Sequence, residues 1–280
     1  LVSPSNFGAL LTRLIHHRRM AVVRLSLESG VPVTELRSMM SGTPPMAPQL
    51  TALAPALGFH TADLCVIADV PGTAPTPLTS RDRGVGAAIV DVVRVLMALP
   101  PEQTAHIHRL VDQMPLESED SPLASPFIYD QRGAGFGAVL GNLLCGNRNL
   151  RSVSVAAKVL AVMTDGGLYL AASTISGIGR GRAPVTPGVV MGFATALGIP
   201  AGSLAAMAGV ELGEPSRPDD PAVAEGAELL WKCRRLNKAR VEYVRGEAES
   251  MLVAVPEDAP DEDWHRVRHR DGRWWGAPRG

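Results

Sequence analysis

Apolar residues along most of this chain recur every three or four positions, the spacing that gathers them on one face of a helix. Leu10, Leu11, Leu14 and Ile15 make the first such face. A second stretch carries Val22, Val23, Leu25 and Leu27 and stops at Gly30. A third runs from Pro32, a residue suited to a first helical turn, through Leu36 and Met39–Met40 to Gly42. Pro48 opens a fourth, with Leu50, Leu53, Ala54 and Leu57 inward and Gly58 at its end, and Asp63-Leu64 begins a short fifth. Strict alternation of apolar and polar residues is scarce, and the β-branched residues sit mostly at helical spacing. The pattern therefore predicts a helical unit, not a sheet.

The same pattern comes back later. Phe7-Gly8-Ala9-Leu10-Leu11 returns as Phe136-Gly137-Ala138-Val139-Leu140, and LAPALGFHTADLCVIADV (53–70) aligns with FATALGIPAGSLAAMAGV (193–210). Between them Pro45-x-x-Pro48 answers Pro184-x-x-Pro187, while extra residues from Asp165 to Leu170 lengthen the turn before the third helix of the second copy. Segments 88–114 and 227–251 share an apolar rhythm with a central break, which predicts a helical hairpin after each unit. Ile89, Val92, Val93 and Leu96 stripe one arm and Pro100-Pro101 starts the next; Leu229, Leu230 and Cys233 lead to Asn237, a good N-cap. The expected fold class is all-α: a tandem duplication of a five-helix bundle, each copy followed by a helical hairpin. The expected divisions are a first, more degenerate unit at 1–70, a hairpin at 80–114, a linker at 115–135, a second unit at 136–210, a hairpin at 221–254 and a tail at 255–280. The apolar hairpin arms are expected either to pair within the chain or to form a homodimer.

Composition narrows the chemistry. The chain has 280 residues, 46% of them hydrophobic, and a net charge of −1, so no overall charge draws it to nucleic acid. Distribution matters more: 136–210 carries Arg148, Arg151, Lys158, Arg180 and Arg182 against Asp165 alone, whereas 7–70 carries five arginines against four acids. Cys65, Cys145 and Cys233 stand far apart in apolar stretches with no C-x-x-C pair, so buried reduced thiols are expected, not a metal site or a disulfide. No histidine has ligand spacing, and no nucleophile elbow, P-loop lysine or paired carboxylates appear, so no catalytic role, metal or cofactor is expected. No apolar run is long enough for a membrane span, and Leu1–Asn6 lacks the basic-then-apolar start of a secretory signal; a cytoplasmic location is expected.

A short second helix, a glycine-containing turn and a short third helix at the centre of a five-helix unit spell a helix-turn-helix, whose third helix enters the major groove only if its outward residues are small and polar. In the second unit Ile175 and Ile178 face inward, leaving Ser173, Thr174, Ser176 and Gly177 outward, with Arg180 and Arg182 just past the helix, where they can clamp phosphate. Arg148, Arg151 and Lys158 add positive charge nearby. In the first unit the outward set is Val33, Thr34, Glu35, Arg37, Ser38 and Ser41, with Thr34 and Arg37 as candidate contacts; Glu35 repels phosphate but can accept from cytosine.

The stretch STISGIGRGRAPVTPGVVMGFATALGI (173–199) resembles the third and fourth helices of lambda-repressor-like (Cro/C1-type) helix-turn-helix domains. The wider pattern, GNRNLRSVSVAAKVLAVMTDGGLYLAASTISGIGRGR (146–182) preceded by a weaker copy, resembles actinobacterial transcriptional regulators with a duplicated layout. The resemblance covers 7–70 and 136–210. It implies sequence-specific binding of double-stranded DNA and gene regulation, with Ser173, Thr174 and Ser176 facing bases and Arg180 and Arg182 on phosphates. The competing expectation is a non-enzymatic interaction protein whose units have lost DNA. The tail interleaves Trp264, Trp274 and Trp275 with arginines and histidines; base stacking, an acidic protein partner, a hairpin closed at Asp271-Gly272 and a disordered self-neutralising tail all fit, and composition favours the last.

Overall fold

The opening helix α1 (Phe7–His17) begins where the Asn6 side chain accepts from the Gly8 amide, and it buries Phe7, Leu10, Leu11, Leu14 and Ile15 on one face. In this computed structural model, which describes residues 6–70, 84–115, 128–150, 152–213, 220–255, 264–268 and 274–278, four short helices follow. They are α2 (Val22–Ser29), α3 (Val33–Met40), α4 (Ala47–Ala56) and α5 (Thr61–Ile67). Helix α2 stops at Gly30, left-handed at φ 73°, and α3 follows at once. Gly8 lets α1 touch the end of α3: a Cβ there would overlap the Met39 carbonyl oxygen.

From residue 131 the chain builds α8 (Gln131–Ala134), α9 (Phe136–Gly141) running on into a π-helical turn (Asn142–Asn147), α10 (Val153–Met163), α11 (Ala172–Gly179), α12 (Pro187–Leu197) and α13 (Ala201–Ala208). Internally, α9 to α13 contact one another in the scheme of α1 to α5: first on third, second on third and fourth, fourth on fifth. Gly137 meets the Ile178 carbonyl as Gly8 meets that of Met39. Left-handed residues recur at matching places, Arg19 (φ 50°) with Asn149 (φ 57°) and Asp69 (φ 55°) with Gly209 (φ 69°). Arg18 lies eleven positions after Phe7 and Arg148 twelve after Phe136. The π-helical turn absorbs that extra residue, because an i→i+5 step admits one more residue than an α turn.

The two runs pack reciprocally. Helix α1 lies on α13, and the π-helical turn lies on α5. Arg18, the C-cap of α1, donates from Nη2 to Ser203 Oγ at 2.9 Å. Arg148, the C-cap of the π-helical turn, donates to both oxygens of Asp63, at 2.6 and 2.9 Å. Both acceptors occupy the third position of the opposing fifth helix.

The expected hairpins do not close on themselves: α6 (Val85–Leu96) and α7 (Pro101–Gln113) each pack against α14 (Pro221–Cys233) and α15 (Lys238–Ser250) instead of mainly against each other, with α6 also against α10 and α14 against α12. Ile89, Val92, Val93 and Leu96 are all buried, so the apolar stripe that also suited a homodimer is covered within one chain. Part of the expected linker is built into the core: Tyr129 and Gln131 are buried, Gln131 donates to the Val66 carbonyl, and Asn142 bonds the Ile128 and Tyr129 amides and the Tyr129 carbonyl. The tail departs from the expected disorder. Strands β1 (Val253–Ala254), β2 (Trp264–Arg268) and β3 (Trp274–Pro278) form an antiparallel sheet of order β1-β3-β2, with Trp275 against the core. Asp271-Gly272 lies outside the described residues. The rest is an all-α bundle, and among the described residues no single helix is long and apolar enough to cross a membrane.

At the centre of the junction Asp63 and Arg148 are both wholly buried. Asn147 also donates to Asp63 at 2.6 Å, and Arg148 donates to the Leu197 carbonyl at 3.0 Å. Trp231 of α14 roofs the pair: the Arg148 guanidinium lies 4.6 Å and that of Arg234 3.3 Å from its ring, and His60 stacks on it at 3.7 Å. Burial, with Arg148 adjacent, brings the Arg234 guanidinium down to about 9. Burial likewise lowers the His60 pKa, with Arg148 and Arg234 adding to the effect against Asp63 and Glu228. His108 on α7 is lowered by burial and by Lys232, although its Nε2 is 2.8 Å from Glu225.

Removing one partner of such a pair strands the other charge in the core, so Arg148→Ala is expected to cost about 3–5 kcal/mol in urea unfolding. The double variant Asp63→Leu/Arg148→Met is expected to recover most of that loss. Because both histidines titrate below the unfolded value, the unfolded chain binds their protons first. Stability is then full above pH 6.5, the ordinary histidine value, and falls as the pH drops below it. Thermal midpoints between pH 8 and 5 check this, and His60→Gln with His108→Gln should flatten the slope.

Candidate nucleic-acid interface

Helix α11 is anchored by Ile175 and Ile178, both buried, which turns Ser173 and Thr174 to solvent. The turn before it is ordered despite its length. The Thr164 hydroxyl donates to the Leu160 carbonyl and accepts from the Leu168 amide at 2.9 Å. Leu168 then sits so close under α12 that a Cβ at Gly192 would overlap it. The neighbouring Tyr169 is left 82% exposed just before α11. In the sequence this aromatic reads as part of an apolar Leu-Tyr-Leu turn; its signal is its place between two anchoring leucines.

The exit from α11 is a tight turn. The Gly181 amide donates to the Ile178 carbonyl, and the Arg182 and Ala183 amides to that of Gly177. Gly181 has φ +67° and passes close to the Ala134 backbone, so the turn needs a residue without a side chain there. Arg180 and Arg182 project from it, exposed, and neither has an ion-pair partner among the described residues. Thr186 then caps α12 by accepting from the Val189 amide.

The glycine series has a packing cause. A Cβ at Gly179 would lie 2.6 Å from the Tyr129 ring, and one at Gly141 equally close. Tyr129 therefore fills a slot between α9 and α11. Burial raises its pKa, opposed by a hydrogen bond from Ser176 and by the charge of Arg180. Ser176 and Gly177, expected to point outward, are half-buried.

The candidate contacts thus separate. Ser173, Thr174, Arg180 and Arg182 are exposed on α11 and its exit, and Lys158 is exposed on α10, which packs against α11. Arg148 is corrected: it is 0% exposed and its guanidinium is consumed by Asp63, so no phosphate can reach it. Arg151 lies outside the described residues. On α3, Thr34 and Arg37 are exposed, and Glu35 accepts from Gln49 Nε2 at 2.6 Å beside an open groove lined by Ser38, Thr43, Pro44 and Met46. Cys65, Cys145 and Cys233 are free and buried, and burial pushes the Cys145 and Cys233 thiols up to about 12. No group of three or more potential metal ligands occurs among the described residues.

No family model matches the chain, and no curated protein or solved structure matches it significantly.

Overfilling the Tyr129 slot should be measurable. Gly179→Ala is expected to cost about 1–3 kcal/mol in urea unfolding, because the ring must move. In a Tyr129→Ala background the same change should stabilise instead, by up to about 1 kcal/mol, since alanine is the better helix residue.

Proposed function

We propose that this protein is a sequence-specific double-stranded DNA-binding regulator, built as a tandem duplication of a five-helix, lambda-repressor-like helix-turn-helix unit. The observation that carries the reading is α11: a short helix after a turn, with exposed Ser173 and Thr174 and, on its exit loop, two exposed arginines without an ion-pair partner among the described residues. Small hydroxyl side chains let a helix approach base edges closely, and the flanking guanidinium groups supply sequence-independent attraction to phosphate. Supporting the duplication are the shared contact scheme, the paired glycines at 8 and 137 and the paired left-handed residues. Tyr169 joins the candidate contacts, as an aromatic at the head of the reading helix.

A second reading, a protein-interaction module, draws on the first unit. Val23 and Leu27, four apart on α2, are 55% and 81% exposed, an apolar pair left uncovered by the described residues.

Binding across a salt series separates the two readings. Arg180→Ala/Arg182→Ala is expected to weaken binding to specific and random duplexes alike and to lower the slope of log K against log salt by about two, roughly one per phosphate contact. Ser173→Ala or Thr174→Ala should instead change the preferred base at one step, at a cost of about 1–3 kcal/mol, with the salt slope unchanged. A double arginine variant that binds as tightly as the parent at every salt concentration would remove Arg180 and Arg182 from the phosphate contacts, and a parent protein that retains no duplex would shift the assignment to protein interaction.

A further inference from the structure

We infer that a single chain acts as its own dimer and reads a two-part, non-palindromic duplex, α3 taking one half-site and α11 the other. This rests on the DNA-binding reading above and adds to it the stoichiometry and the form of the site. Helix α1 on α13 and the π-helical turn on α5 are one contact made twice. Arg18 to Ser203 and Arg148 to Asp63 are likewise one hydrogen-bonding position used twice, from the C-cap of a first helix to the third residue of the opposite fifth helix. Reciprocal contacts of this kind define an isologous interface, the arrangement of a two-fold dimer, here closed within one chain.

The reading helices take no part in that interface. Each third helix packs on its own first helix, at Gly8–Met39 and at Gly137–Ile178, while the first helix packs on the other run's fifth helix. The outer residues of both third helices therefore stay uncovered: Thr34, Glu35 and Arg37 on α3, Ser173 and Thr174 on α11. A duplex backbone is itself two-fold symmetric, so two reading helices related by a two-fold suit successive major-groove turns.

The readers are not equivalent. Aligned on Leu36 and Ile175, Thr34 corresponds to Ser173, Glu35 to Thr174 and Arg37 to Ser176. A carboxylate accepts from the cytosine amino group and arginine donates to guanine, whereas the second set is uncharged and small. Two unlike readers select two unlike half-sites. Charge agrees with shared duty: because Asp63 and Arg148 neutralise each other in the core, the first run retains five arginines against three acids and the second four basic residues against one.

The test is selection of duplexes from a random pool by the full chain, followed by native mass spectrometry of the complex with the selected duplex. The expected result is one chain per duplex and two base blocks about 10 base pairs apart that are not inverted repeats of each other. Glu35→Gln and Arg37→Ala, both surface changes whose folding is checked by an unchanged thermal midpoint, should alter preference in one block only, with about tenfold weaker binding. Thr174→Ala should alter the other block only. A palindromic site occupied by two chains overturns the inference, as does a single block indifferent to Glu35→Gln and Arg37→Ala; either result leaves DNA binding by α11 standing. Failure to retain any duplex at low salt overturns the DNA-binding reading and this inference together.

Discussion

A carboxylate and a guanidinium with no access to water hold the two halves of this chain in one orientation. Asp63 comes from the fifth helix of the first run and Arg148 from the end of the first helix of the second. Desolvating both is unfavourable unless each keeps its hydrogen bonds; here Asn147 and the Leu197 carbonyl add to those of the pair, and Arg148 Nε alone of the guanidinium nitrogens has no hydrogen-bond partner among the described residues. The same requirement makes the junction selective. A sliding or rotated packing of the two runs would leave a charge buried without a partner, whereas a purely apolar contact would tolerate the shift.

The surroundings follow from that pair. Trp231 covers it, which brings α14 over the junction and places His60 and Arg234 against the indole. Three groups capable of positive charge then lie about one buried carboxylate, and burial and repulsion lower the His60 pKa. The symmetric position, Arg18 on Ser203, is half-buried and pairs a charge with a neutral hydroxyl. The two contacts are thus alike in position and uneven in strength, the stronger lying under Trp231.

Much of this architecture is legible in the sequence where a residue type answers a local need. The FGALL and FGAVL segments resemble each other where the glycine in each must let two helices touch. Gly58 and Gly198 mark helix ends because both adopt a left-handed conformation. Arg148 is not legible. It stands in a polar Asn-Arg-Asn run that reads as exposed, and its partner lies 85 positions away in a segment whose similar counterpart has serine. Tyr129 hides for a similar reason: it follows a Pro- and Ser-rich stretch that reads as linker, and only the contact with Gly141 and Gly179 shows why those glycines are there. The outward direction of Ser173 and Thr174 follows from helical periodicity, but periodicity cannot reveal that Ser176 is half-buried on the helix that Tyr129 packs against.

If the buried pair fuses the two runs into one cooperative body, neither run should open without the other. Native-state hydrogen exchange, read by mass spectrometry over peptides from α5 and from the π-helical turn, measures this directly. Both segments are expected to exchange with one opening free energy, equal to that of global unfolding, and to lose protection together in Arg148→Ala. Exchange of one segment while the other keeps full protection in the parent protein would contradict the coupling of the two runs through Asp63 and Arg148.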